Sequence, residues 1–261
     1  IQDSLVGSEM CIRDRFMQWT WFHKFASPKW FYQITGKILP SLAWLTFFLL
    51  VIGLVLGLGY APADAKQGNS FRIIYIHVPS NFLALAGYFL MAIAGAIGLI
   101  WRIKLAFWVM KCAAPIGVVF TLVGLLTGSL WGKPTWGSFW VWDARGTSML
   151  ILLFLYVGVY SLGRSFHNAN SGEKASAFLA IVGTVNIPII YKSVDWWFTL
   201  HQPATIKFTS APSMHPDMFY PLLIMIVGFY LLYAVVLMLA VRAEILVRER
   251  KTNWVRTLVL K

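Results

Sequence analysis

The sequence predicts an all-α integral membrane protein with six transmembrane helices. Of its 261 residues, 59% are hydrophobic and only 12% are charged, so too little polar surface is present to cover a soluble domain of this size. Six apolar runs also approach the length of about 20 residues that an α-helix needs to cross a bilayer. Together these two observations indicate a bundle of membrane-spanning helices.

The six predicted spans are residues 38–58, 78–101, 112–130, 147–163, 176–191 and 219–241. Asn186 and Pro188 indicate either a break in the outer half of the fifth helix or a proline kink. Residues 1–15 match nothing in the apolar pattern that follows. We expect them to be a non-native upstream extension, with Met17 as a candidate start, and residues 16–261 to form a single six-span membrane domain.

Lysine and arginine predict the orientation, because short cytoplasmic loops retain positive charge. All but six of the 22 basic residues fall on the side of the two chain termini, which are therefore predicted to be cytoplasmic. The exceptions, on the predicted outer side, are Lys66, Arg72, Lys133, Arg145, Lys192 and Lys207. The net charge of +12 then reflects topology and attraction to the lipid bilayer, so no nucleic-acid partner is expected.

Several classes of chemistry lack their sequence signals. The two cysteines, Cys11 and Cys112, form neither a CxxC pair nor the CxxCH motif that attaches c-type haem. Ionisable residues are almost absent from the predicted spans, which argues against a proton-coupled transporter. No Walker motif occurs, so any dependence on ATP has to come from another subunit.

A tryptophan-rich outer segment, WGKPTWGSFWVWD at residues 131–143, joins the third and fourth predicted spans. It contains Trp131, Trp136, Trp140 and Trp142. Tryptophan presents a flat apolar face with an N–H donor at its rim, which suits a flat apolar ligand; the alternative is an aromatic belt at the membrane interface. Trp136 and Trp140 share a face if the segment is helical, and Trp140 and Trp142 share one if it is extended.

Three of the five histidines fall on the same outer side as this segment. His77 lies at the mouth of the second span, His201 just beyond the fifth, and His215 in a more polar stretch that makes it the weakest candidate. Imidazole is a common axial ligand of haem iron, and a tryptophan surface would cover the macrocycle. The alternatives are hydrogen-bonded interfacial histidines, or a zinc site that lacks a third and fourth ligand. His23 and His167 fall in predicted cytoplasmic loops.

Outer arginines extend this hypothesis, because haem carries two propionate groups. The guanidinium of Arg145 or Arg72 matches a carboxylate in a bidentate manner and could anchor one propionate. The alternative for Arg145 is a solvated charge that pairs with its neighbour Asp143.

The segment WGKPTWGSFWVWDAR resembles the signature of the WWD-domain family of haem-handling membrane proteins that serve cytochrome c maturation. The stretches APADAKQGNSFRIIYIHVPS and VNIPIIYKSVDWWFTLHQ support the resemblance, which extends from about Trp30 to the C-terminus. It implies a bacterial inner-membrane protein that holds non-covalent, transient haem b at its periplasmic face, with His77 and His201 as axial ligands. Residues 131–145 would be the WWD segment, with the binding residues Trp131, Trp136, Trp140, Trp142, Asp143 and Arg145.

The resemblance also implies partners: the periplasmic haem chaperone CcmE as acceptor, the small membrane subunit CcmD and the ATP-binding cassette complex CcmAB. The expected role is haem transfer, without catalytic residues of the protein's own. Three alternatives remain open: a cytochrome c haem lyase, a haem permease, and a docking subunit whose tryptophans form only an interfacial belt.

Overall fold

The computed structural model describes residues 26–197, 199–201 and 214–259. The predicted extension 1–15, Met17 and His23 lie outside these residues. The helices are α1 (Pro28–Leu54) continued by a π-helix (Val55–Tyr60), a 3-10 helix (Asn69–Ile73) continued by α2 (Ile74–Trp101), α3 (Lys104–Trp136), α4 (Ala144–Leu162), α5 (Ala169–Gly183), α6 (Asn186–Trp196), α7 (Pro216–Arg248) and α8 (Asn253–Val259).

Six helical stretches of the described chain are long and apolar enough to cross a membrane, which confirms the predicted fold class. They are Pro28–Tyr60, Asn69–Trp101, Lys104–Trp136, Ala144–Leu162, Ala169–Trp196 and Pro216–Arg248. Most extend several residues beyond the predicted runs, because hydropathy marks the apolar middle of a helix whereas capping residues set its ends.

Local capping explains the short connection between α3 and α4. Gly137 adopts a φ of 81° and ends α3 in the left-handed conformation that glycine tolerates best. The carboxylate of Asp143 then accepts a hydrogen bond from the Gly146 backbone N–H at 2.7 Å and so caps α4. The two spans therefore run in opposite directions with only residues 137–143 between them.

The predicted interruption of the fifth span is confirmed as a break between α5 and α6. α5 ends at Gly183 and α6 begins at Asn186, so the break lies just before the residue that predicted it. The buried Asn186 amide donates to the Ser148 carbonyl oxygen at 2.9 Å, which ties α6 to α4. Gly183 faces the Tyr88 hydroxyl, which would lie 2.0 Å from an added Cβ.

The helix α2 lies at the centre of the bundle and packs against α3, α5 and α7. Tyr88 and Tyr156 are fully buried there, with their rings edge to face at a centroid distance of 4.9 Å. The Tyr156 hydroxyl donates to the Ala84 carbonyl oxygen at 2.8 Å. At the periphery, α1 packs against α7 and exposes large aromatic side chains such as Trp44 and Phe48, as suits a helix in contact with lipid.

A Gly117→Ala substitution is expected to destabilise the bundle by about 3 kcal/mol, the upper part of the range for overpacking. The added Cβ would lie 2.0 Å from Cε1 of the buried Tyr156, whose hydroxyl is held on α2. Thermal unfolding in detergent measures the effect. Gly59→Ala is the matched control, because nothing lies within 4 Å of the Cβ it would add. Equal unfolding midpoints for the two variants would contradict this packing argument.

A charged cluster ties three helices together at the end of the bundle opposite the tryptophans. The carboxylate of Glu244 on α7 accepts from Lys111 on α3 at 2.7 Å and from Arg248 at 2.8 Å, and Arg248 also pairs with Glu173 of α5 at 3.1 Å. These four residues lie just outside the predicted spans, so hydropathy gave no sign that they meet.

Candidate functional site

The starts of α2, α4 and α7 and the ends of α3 and α6 meet at one end of the bundle. We call it the tryptophan end, defined by Trp131, Trp136, Trp140 and Trp142. The three predicted histidine candidates, His77, His201 and His215, also lie at this end. The exposed His167 lies at the opposite end, in the turn between α4 and α5.

The structure brings His77 and His201 together. Their ring centroids lie 6.4 Å apart and their ring planes differ by 28°. His77 lies on the first turn of α2 and is only 9% exposed, whereas His201 is partly exposed in the connection that follows α6. One histidine is therefore held by a helix inside the bundle, and the other belongs to a loop.

The neighbouring helix α3 forms a groove that receives the His77 ring. The His77 Nδ1 atom lies 3.0 Å from the Thr127 hydroxyl oxygen. A Cβ added to Gly128 would lie 3.0 Å from His77 Cε1, so the absence of a side chain at this position makes room for the ring. The Asn81 amide nitrogen, one turn along α2, lies 3.1 Å from His77 Nε2 and 3.3 Å from His77 Nδ1.

The first two tryptophans of the segment belong to α3, and each lies beside one histidine. The Trp131 ring centroid is 5.6 Å from that of His77, and its indole N–H donates to the Gln67 side-chain oxygen at 2.7 Å. The Trp136 centroid is 6.3 Å from that of His201, and this tryptophan is 38% exposed.

The other two tryptophans, Trp140 and Trp142, lie in the non-helical connection after Gly137. Their rings meet edge to face with centroids 5.5 Å apart, and Trp142 is 75% exposed. The Trp140 indole nitrogen is buried and has no hydrogen-bond acceptor among the described residues. The segment is therefore helical up to Trp136 and irregular from Gly137 to Asp143, so Trp136 and Trp140 do not share a helix face.

Asp143 and Arg145 differ in what their charges already contact. The Asp143 carboxylate caps α4, as described above. Arg145 is partly buried on the first turn of α4, and within the described ranges it forms no ion pair closer than 4.0 Å. Its charge interacts electrostatically with His77 and with the carboxylates of Asp143 and Asp195. The predicted alternative, a solvated charge that pairs with Asp143, is met in part: Arg145 is partly buried and forms no ion pair with Asp143 within 4.0 Å, but the two charges attract each other.

Two other outer-side candidates have structural roles. The Arg72 guanidinium donates to the backbone oxygens of Leu58 and, at 2.8 Å, of Ala61, where it caps the end of the π-helix. His215 caps α7, because its Nδ1 accepts from the Asp217 backbone N–H at 3.3 Å. Arg145 is thus the better placed of the two arginines to receive a carboxylate ligand.

Sequence reasoning missed Thr127, Asn81 and Gly128, although weak signals exist for all three. His77 and Asn81 are spaced four residues apart and so share one face of α2. Gly124, Thr127 and Gly128 have the spacing of one helical face on α3. Neither pattern indicates that this face of α2 packs against this face of α3.

The donor set suits a metal that brings other ligands with it. Over the described ranges, no three His, Cys, Asp or Glu side chains converge to hold a bare metal ion. A planar macrocycle supplies its own equatorial ligands and needs only one or two axial imidazoles. The Trp140 indole N–H, which has no acceptor among the described residues, and the Arg145 guanidinium are suitable donors for carboxylate groups at the rim of such a macrocycle.

Comparison with known proteins agrees with this interpretation. The model of the CcmC family, described as heme exporter protein C, matches residues 21–256. The heme exporter protein C of Haemophilus influenzae is 47% identical over 92% of this chain and 98% of its own length, and that of Escherichia coli K12 is 46% identical over 93% and 98%. A CcmC-like mitochondrial protein of Marchantia polymorpha, named for cytochrome c biosynthesis, is 42% identical over 81% of this chain and 88% of its own length.

Proposed function

The chain belongs to the heme exporter protein C family, and from this premise we propose that it binds haem b at the tryptophan end and delivers it to the haem chaperone CcmE. The names of its relatives refer to haem export and to cytochrome c biosynthesis. The observation that carries the proposal is the pairing of His77 with His201.

The separation of these two imidazoles suits ligation of one iron from opposite sides. Each ligating nitrogen lies about 2 Å from its metal, so ring centroids about 6 Å apart are expected for a bis-histidine site. The observed separation is 6.4 Å. His77 and His201 are therefore the proposed axial ligands, and the iron of the bound haem supplies the Lewis acid that they share.

The remaining groups at the tryptophan end would hold the macrocycle and its propionates. Trp131 and Trp136 flank the two histidines, so their apolar rings can cover porphyrin faces or edges. The Arg145 guanidinium and the buried Trp140 indole N–H are the proposed propionate donors. All of these contacts are non-covalent, as a carrier that gives up its ligand requires.

The different settings of the two histidines suit a stepwise release. His77 is buried on α2, whereas His201 is partly exposed on a connection. Loss of His201 would leave the haem held at His77 and expose one axial position to an acceptor. A handover that exchanges the two ligands one at a time needs no state in which the haem is free.

The distribution of basic residues supports a bacterial inner-membrane location with cytoplasmic termini and with the tryptophan end toward the periplasm. The proposed partners are CcmE as acceptor, CcmD as a small membrane subunit, and CcmAB as the source of ATP-dependent work. These partners are inferred from the family, and this chain has no Walker motif of its own for ATP binding.

Haem transfer between purified proteins tests the proposal. The detergent-solubilised protein, loaded with haem and mixed with the soluble domain of CcmE, is expected to transfer haem to CcmE. A protein that takes up no supplied haem, or that retains all of it, would contradict the proposal. Thioether formation on an added CxxCH peptide would indicate a lyase instead, and haem uptake into vesicles containing this protein alone would indicate a permease.

A further inference from the structure

The nitrogen of His77 that can bind iron is determined by the helix beside it. We infer that Thr127 on α3 is a positioning residue: it holds His77 in the tautomer with hydrogen on Nδ1 and so leaves the Nε2 lone pair for the haem iron. This inference rests on the proposed haem ligation by His77. It adds Thr127 to the proposed haem site as a residue that acts through His77.

The hydrogen bonds of the Thr127 hydroxyl give the argument for this tautomer. A hydroxyl has one hydrogen to donate, and the Thr127 oxygen lies 2.6 Å from the Val123 carbonyl oxygen, which can only accept. The same hydroxyl oxygen lies 3.0 Å from His77 Nδ1. With its hydrogen used on Val123, the hydroxyl accepts at His77, so Nδ1 is the atom that carries the hydrogen.

Asn81 on α2 also contacts the His77 ring. One atom of the Asn81 amide lies 2.8 Å from the backbone carbonyl oxygen of His77. Because a carbonyl oxygen only accepts, this atom must be the amide NH₂ group. The same NH₂ group lies 3.1 Å from His77 Nε2 and 3.3 Å from Nδ1, so it lies over the ring and does not distinguish the two nitrogens. The tautomer is therefore assigned by the hydrogen bonds of Thr127.

Two glycines bring Thr127 within reach of the ring. Gly124 and Gly128 lie on the same face of α3, and side chains there would contact Asn81 and His77, respectively. Thr127 is thus the side chain of this face whose hydroxyl bonds to the imidazole. Metal-bound histidines commonly donate their second N–H to such a partner, which orients the ring and increases its basicity as a ligand.

Removal of the hydroxyl should therefore weaken haem binding and change the electronic properties of the iron. We expect Thr127→Val, which preserves the shape of the side chain, to release haem about 10- to 100-fold faster, the range seen when such supporting groups are lost. The midpoint potential of the bound haem should rise, because a less basic imidazole stabilises ferric iron less. Thr127→Ser restores the hydroxyl and should restore both values.

Haem release is measured by transfer to excess apomyoglobin, and the potential by spectroelectrochemical titration of the haem-loaded protein. Thr121→Val is the matched control: Thr121 is buried on the same helix and donates to the Gly117 carbonyl oxygen at 2.7 Å. It should leave both quantities unchanged. If Thr127→Val does not fold, Thr127→Ala serves in its place with the same expected results.

The variants separate failure of this inference from failure of the proposed function. If Thr127→Val has the wild-type release rate and midpoint potential while His77→Ala loses haem, the role of Thr127 is overturned. The assignment of His77 as a ligand then still stands. A His77→Ala variant that binds haem as the wild type does would overturn the ligand assignment, and with it the tautomer argument. Equal effects of Thr121→Val and Thr127→Val would show that the hydroxyl acts through helix packing and would also overturn the inference.

Discussion

Replacement of either His77 or His201 by alanine is expected to abolish the low-spin absorption spectrum of bis-histidine haem, whereas His167→Ala is expected to preserve it. The first two residues form the 6.4 Å pair at the tryptophan end, and His167 is exposed at the opposite end of the bundle. Absorption spectra of the three purified variants, in oxidised and reduced states, measure the effect.

The two site variants should differ in severity. His77→Ala removes the ligand fixed on α2, and haem affinity should fall by more than about 100-fold, beyond the range seen when a group that only supports a ligand is lost. His201→Ala leaves His77 and its hydrogen bonds intact, so a smaller loss of affinity and a high-spin, five-coordinate spectrum are expected. Equal haem content and equal spectra in all three histidine variants would contradict the ligand assignment.

Exogenous imidazole provides a further control on this interpretation. If His201→Ala leaves an open axial position, added imidazole should occupy it and restore the low-spin spectrum. The same addition should not restore haem content to His77→Ala, because the missing ligand there is enclosed between α2 and α3. Rescue of both variants to the same degree would mean that the two histidines have equivalent surroundings, in disagreement with their difference in burial.

The sequence predicted the six spans because hydropathy depends only on local composition. It also indicated an interruption of the fifth span at Asn186 and Pro188, as a break or a proline kink, because a polar amide followed by a proline disturbs the pattern of an apolar helix. It could not predict that Trp131 and Trp136 extend α3. The end of that helix is set by Gly137, and a glycine in this position equally permits a loop that starts earlier.

The candidate site was predictable only in part, for a similar reason. The sequence indicated His77 and His201 because both are histidines and both were predicted to lie on the same side of the membrane. The residue type and the predicted side of the membrane can each be derived from the sequence alone. The contact of His77 with Thr127 depends on which faces of α2 and α3 pack together. Likewise, the capping role of Arg72 at the π-helix requires a fold in which residues 58–61 return to meet it.

Loss of the Arg145 guanidinium is expected to weaken the binding of haem while leaving its axial ligands in place. Arg145 is partly buried on the first turn of α4, and its charge interacts with His77. No described carboxylate lies within 4.0 Å of its guanidinium, although Asp143 and Asp195 attract it at longer range. A buried hydrogen bond to a charged group contributes about 1.5–3 kcal/mol, which corresponds to a roughly 10- to 100-fold higher Kd for haem in Arg145→Ala. The low-spin spectrum at saturating haem should be that of the wild type.

Haem whose propionates are esterified separates this electrostatic role from a structural one. The dimethyl ester keeps the iron and the macrocycle but lacks the carboxylates that a guanidinium would pair with. Arg145→Ala and wild type should therefore bind the ester with the same Kd, although they differ for haem itself. Lys192→Ala is the control, because Lys192 is a cation at the same end that already pairs with Asp195 at 3.0 Å. An equal loss for haem and for its ester would show that Arg145 supports the fold of α4 and does not anchor a propionate.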